Sequence, residues 1–136
     1  MKTNADVKNL SEVLGFIDNF LESVNCPPKA QMQIDTSVEE IFVNIAGYAY
    51  QDNKGTADIE IYLTDNNTVC IELTDSGKPF NPLAKADPDT SLSASERKIG
   101  GLGIFMVKKM MDKVEYLRYD NCNKLYLYKK FEGETI

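Results

Sequence analysis

The apolar residues change period along this chain, and that change restricts the architectures open to it. From residue 5 to 24 they recur every three or four positions (Val7, Leu10, Val13, Leu14, Ile17, Phe20, Leu21, Val24), the stripe of an amphipathic helix. CPPK at 26–29 breaks the stripe, and a second helix is expected from about Ala30 to Tyr50, with Val38, Ile41, Phe42, Ile45 and Ala49 on its core face. The period then falls to two. IEIYL (59–63) and VCIEL (69–73) alternate, and Asp65, Asn66 and Asn67 supply turn chemistry between them, so a hairpin is expected. VEYLRY and KLYLYKKF, joined at Asp120-Asn121-Cys122-Asn123, predict two more strands.

Between the strand pairs lie two unusual segments. PLAKADPDTSLSASERKI, about 82–99, is small, polar and proline-punctuated, the character of a lid or binding loop. GGLGIFMVKKMMD (100–112) then places three glycines in four positions before an apolar helical run. Helices segregated from hairpins predict an α+β fold, an antiparallel-rich sheet covered by helices on one face. The length suits one domain, 1–136, with a helical N-terminal segment over 1–25. A strand does not lead directly into the glycine turn, and GGLGIF lacks the third glycine of the dinucleotide fingerprint, which argues against a Rossmann unit.

Composition removes several chemistries. The chain has no histidine, so histidine-based zinc sites, Ser-His-Asp and Cys-His catalysis and histidine autophosphorylation are excluded. Cys26, Cys70 and Cys122 are far apart and odd in number, which predicts reduced thiols. A formal net charge of -6 with no basic, aromatic-interleaved stripe argues against nucleic acid as a partner. The sequence has no membrane-span-length apolar run and no signal-peptide pattern, so no membrane partner and a cytoplasmic location are expected.

Three polar clusters carry the functional reading. Glu40 and Asn44 share a helix face, continued by Gly47 and Tyr48, which is either a solvated surface or a proton acceptor beside a hard oxygen ligand for Mg2+. Asp75-Ser76-Gly77 is either a turn or an acceptor for the exocyclic amine of adenine, with Phe80 as a pocket wall or a core residue. Gly100, Gly101 and Gly103 either ease a loop into a helix or let backbone N–H groups approach phosphates at its positive end.

In this order, EEIFVNIAGYAY (39–50), DSGKPFNP (75–82) and GGLGI (100–104) resemble the N, G1 and G2 boxes of the GHKL ATPase superfamily, most closely its anti-sigma regulatory serine/threonine kinases. The resemblance spans about residues 30–130. It implies the Bergerat fold, a two-layer α/β sandwich with a mixed, mostly antiparallel sheet, and ATP with Mg2+ as cofactors. It implies Asn44 as the Mg2+ ligand, Glu40 as general base toward a substrate serine, and Asp75 with Gly77 and Phe80 at the adenine. Gly100, Gly101, Leu102 and Gly103 fall on the phosphate loop. The family's kinases carry an arginine just before these glycines, where this sequence has Ile99, with Arg97 and Lys98 adjacent as candidate phosphate contacts. The implied partners are a sigma factor and a small STAS-like antagonist protein, with a homodimer as the expected assembly. A non-catalytic, nucleotide-dependent partner-switching module is the alternative, and a scaffold that binds no nucleotide a further one.

Overall fold

The computed structural model describes residues 1–50, 55–65, 67–84 and 101–132. Its strands are β1 (Lys2–Asn4), β2 (Thr56–Leu63), β3 (Thr68–Asp75), β4 (Lys113–Tyr119) and β5 (Cys122–Lys130). They form one five-stranded sheet in the order β1-β2-β3-β5-β4, antiparallel at each pairing. The helices are α1 (Leu10–Ser23), α2 (Pro28–Tyr48) and α3 (Gly101–Met110). This is the α+β architecture that the change of period predicts.

Pro28 opens α2 at a position where a missing N–H costs nothing, so CPPK ends one helix by starting the next. Along α2 the expected face, Val38, Ile41, Phe42, Ile45 and Ala49, is buried, and it meets Val69, Ile71 and Leu73 of β3 in one core with Val13, Ile17 and Leu21 of α1. The core therefore lies between the sheet and the helices, with α2 next to both α1 and α3.

The β4–β5 turn is tighter than the sequence suggested. Asp120 and Asn121 both have positive φ (54° and 62°), the conformation of a two-residue type I′ hairpin, whose twist matches the flanking strands. Cys122 and Asn123 thus belong to β5, and Asn123 pairs across from Asp75 of β3. The turn thereby decides the facing of β5. Asn123, Leu125 and Leu127 are buried on the helix side, with Lys124 and Tyr126 on the other.

β1 was not expected. It lies on the edge of β2, registered Lys2 to Asp58 and Asn4 to Thr56, and the amino terminus donates to the Ile59 carbonyl at 2.6 Å. The other end of the fold departs too. α3 begins at Gly101, so Gly101 and Gly103 lie inside the first turn rather than before it. Of the lid over 82–99, Pro82–Ala84 make one 3-10 turn, and the remainder falls outside the described residues.

Candidate functional site

A narrow apolar cleft opens between the end of α2 and the sheet. Ile41 and Ile45 of α2 and Leu73 and Leu125 of the sheet form its walls, and Phe80 and Pro82 complete the apolar lining. Few polar residues line it. They include Asn44, Asp75 and Asn123, and Asp75 and Asn123 are each 6% exposed. An apolar slot with a small number of converging polar groups is the usual form of a small-molecule site.

Asp75 is the last residue of β3, where the buried parity of the strand brings a carboxylate into the cleft. Its Oδ1 accepts from the Gly77 N–H at 2.9 Å and from Asn123 Nδ2 at 3.0 Å. These two donors occupy one oxygen, and among the described residues none reaches Oδ2. The turn that follows is fastened on three sides. The Lys78 N–H donates to the Ala49 carbonyl at 3.0 Å, Arg118 Nη1 donates to the Gly77 carbonyl at 2.8 Å, and the Ser76 N–H donates to the Tyr50 hydroxyl at 2.9 Å. That hydroxyl itself donates to the Thr56 carbonyl at 2.6 Å. A Cβ on Gly77 would overlap the carbonyl group of Ala49, so the close approach of this turn to the end of α2 requires glycine.

Glu40 and Asn44 lie one turn apart on α2, both half-buried. Asn44 Nδ2 points to Glu40 Oε1 at 3.5 Å, and among the described residues no donor reaches the amide oxygen of Asn44. The solvated-surface alternative does not describe this face at Asn44, which lines the cleft; Gly47 and Tyr48 are the exposed part of it. A Cβ on Gly103 would fall on the Glu40 carboxylate, so that carboxylate lies against the first turn of α3. The helix dipole makes this the positive end of α3.

Asn44, Asp75 and Phe80 thus share one cleft, Gly77 abuts its base, and Glu40 meets Gly103 next to it. The backbones of Gly101 and Leu102 are helical. Gly100, Arg97, Lys98 and Ile99 lie outside the described residues. Sequence reasoning missed Asn123, Tyr116, Arg118 and Tyr50. The composition around Asn123 predicts a turn, whereas its in-phase alternation with Leu125 and Leu127 is the signal that puts it in the strand.

A family model described as the histidine kinase-like ATPase domain matches residues 3–129. The chain belongs to that family. Among characterised relatives of this ATPase domain, a serine-protein kinase RsbW from Halalkalibacterium halodurans is 34% identical over 86 residues, 60% of this chain and 52% of the relative. An anti-sigma F factor from Caldanaerobacter subterraneus is 29% identical over 82 residues, 60% of this chain and 57% of the relative. The matched stretch spans a little over half the length of these relatives.

Solved structures show the same fold. The RsbU and RsbW domains of a Mycobacterium tuberculosis protein superpose on the whole of this chain and 34% of that one, with a TM-score of 0.64 at 12% identity. The histidine kinase domain of a blue-light activated kinase from Erythrobacter litoralis superposes on 89% of this chain and 60% of that one, with a TM-score of 0.54 at 12% identity. Among the described residues no helix is long and apolar enough to cross a membrane.

Proposed function

We propose that this ATPase-family domain binds ATP with Mg2+ in the α2–sheet cleft and acts as an anti-sigma regulator that phosphorylates a serine on a small antagonist protein. One observation carries the reading: a carboxylate, Asp75, and a carboxamide, Asn44, line the same apolar slot. The adenine ring suits the aliphatic walls, and its exocyclic amine suits Asp75 Oδ2. The name of the anti-sigma F factor supports the anti-sigma part of the proposal, and that of the serine-protein kinase supports the transfer to serine.

Mg2+ is well matched to Asn44. The side chain spends its N–H on Glu40 and keeps a hard oxygen, and Mg2+ takes one or two protein oxygens beside phosphate oxygens and water. Bound there, the ion would supply charge neutralisation across the phosphates. The first turn of α3 presents backbone N–H groups to the same charge. Glu40, one turn before Asn44, accepts the proton of the incoming serine hydroxyl as its oxygen forms the new bond to the terminal phosphorus and ADP departs. A sigma factor is the partner that the same domain holds in the cytoplasm.

Calorimetry with ATP and Mg2+ on the wild type and on Asp75→Asn tests the binding half. Asn presents an amide in place of one carboxylate oxygen, and affinity is expected to fall roughly 10- to 100-fold. Equal heats would overturn the adenine assignment. Transfer of labelled phosphate to the antagonist, lost in Glu40→Ala, tests the catalytic half.

Ile99 favours a second reading, a partner-switching module that holds nucleotide without transferring phosphate, because phosphoryl transfer depends on cationic stabilisation of the terminal phosphate. Gain of transfer in Ile99→Arg over an inactive wild type would select it.

A further inference from the structure

The second polar side chain of the cleft, Asn123, has its hydrogen-bonding capacity fully committed. Nδ2 donates to Asp75 Oδ1 at 3.0 Å and to the Lys78 carbonyl at 2.8 Å. Oδ1 accepts from the Phe80 N–H at 3.3 Å and from the Tyr116 hydroxyl. Three of these partners are one-way groups. A carboxylate and a carbonyl only accept, and a backbone N–H only donates, so the amide has one allowed orientation and its reverse would face oxygen with oxygen twice. Being 6% exposed, Asn123 cannot exchange these partners for water.

This geometry has a chemical consequence at Asp75. The Asn123 amide and the Gly77 N–H together engage Oδ1, which fixes the rotation of the carboxylate and turns its remaining acceptor capacity to Oδ2. We infer that Asn123, oriented by Tyr116, is a positioning residue that makes Asp75 select a purine bearing an exocyclic amine over one bearing a keto oxygen. The inference rests on the adenine assignment proposed above and deepens it: base selection runs along Tyr116, Asn123 and Asp75 rather than residing in Asp75 alone. A ligand amine finds an acceptor at a fixed place. A keto oxygen meets a carboxylate that neighbouring donors keep from swinging aside.

The sequence pattern gives the chain of three its rigidity. Asn123 stands opposite both Asp75 and Arg118 in the sheet register, and Tyr116 lies two residues before Arg118 on the same face of β4. The three side chains of the selector therefore stand on three adjacent strands, and the backbone of the turn after β3, at Gly77, Lys78 and Phe80, completes their hydrogen bonds.

The experiment is a calorimetric titration of wild type, Tyr116→Phe and Asn123→Ala with ATP and with inosine triphosphate, which carries a keto oxygen where ATP carries the amine. The wild type is expected to prefer ATP by about 100-fold or more. Asn123→Ala should lower that ratio at least tenfold, chiefly through weaker ATP binding, and Tyr116→Phe should lower it severalfold. A purely structural loss would weaken both nucleotides alike and leave the ratio unchanged. Should Asn123→Ala fail to fold, Tyr116→Phe, which removes one hydroxyl, decides the matter. A wild type that discriminates beside variants with the same ratio overturns this inference alone. A wild type that binds ATP and inosine triphosphate equally overturns the adenine assignment and this inference with it.

Discussion

At Gly77 the packing leaves no room for a single methyl group. An added Cβ meets backbone, the Ala49 carbonyl carbon and oxygen, which cannot swing away as a flexible side-chain end would. Gly77→Ala is therefore expected to destabilise the fold by about 1–3 kcal/mol, read as a lowered midpoint in urea. It should also weaken ATP binding, because the turn that carries the Asp75 partner N–H has to move. An unchanged midpoint would mean that the end of α2 yields easily. The sequence made the glycine visible, but the reason for it was not local. DSG reads as a turn by composition, and what forbids a side chain comes from a residue 28 positions earlier (49 against 77).

Elements behave differently from residues in how far they can be read. α2, β2 and β3 were legible because burial imposes a period on them. β1 was not, because Lys2, Thr3 and Asn4 carry no apolar alternation and owe their extension to the exposed edge of β2. The β4–β5 turn was found and made too long, since Asn123 has the composition of a turn and the location of a core residue. Asn121, at φ 62°, bears a left-handed conformation that glycine adopts without steric cost, so Asn121→Gly should stabilise the hairpin by a few tenths to about 1 kcal/mol in thermal melts.

Where α1 meets α2, two carboxyl groups, Asp18 and Asp35, stand together. Burial, and then the hydrogen bond and negative charge of Asp18, push the Asp35 carboxyl up to about 7, and among the described residues no donor reaches its buried Oδ1. Gln31 Nε2 donates to Asp18 at 3.0 Å, and the charge of Asp35 also reaches the Cys26 thiol. Folding thus favours the protonated Asp35. Its stabilisation is full below the ordinary carboxylate range and is lost as pH rises through about 7. The thermal midpoint should fall over that window in wild type and fall less in Asp35→Asn. A parallel decline in both proteins would remove Asp35 as the cause.

On the scale of the whole molecule, the cleft takes its walls from both layers, Ile41 and Ile45 from the helices and Leu73 and Leu125 from the sheet. A ligand filling it ties the layers together. ATP with Mg2+ at 100 times its dissociation constant should add about 2.7 kcal/mol and raise the melting temperature by several degrees in one cooperative transition. No shift at saturation would contradict binding at this place. The helix that links the two ends of the cleft has a further consequence. Ala49 is clasped by the Asp75 turn, and Glu40, nine residues earlier, lies against α3. At 1.5 Å per residue these two anchor points stand about 13 Å apart on an unbroken rod. α2 is then a gauge of fixed length: on the proposed placement of ATP, a nucleotide touching both ends would be measured before any chemistry begins, and one cut short by a phosphate or two would reach the Asp75 end and leave the other unmet.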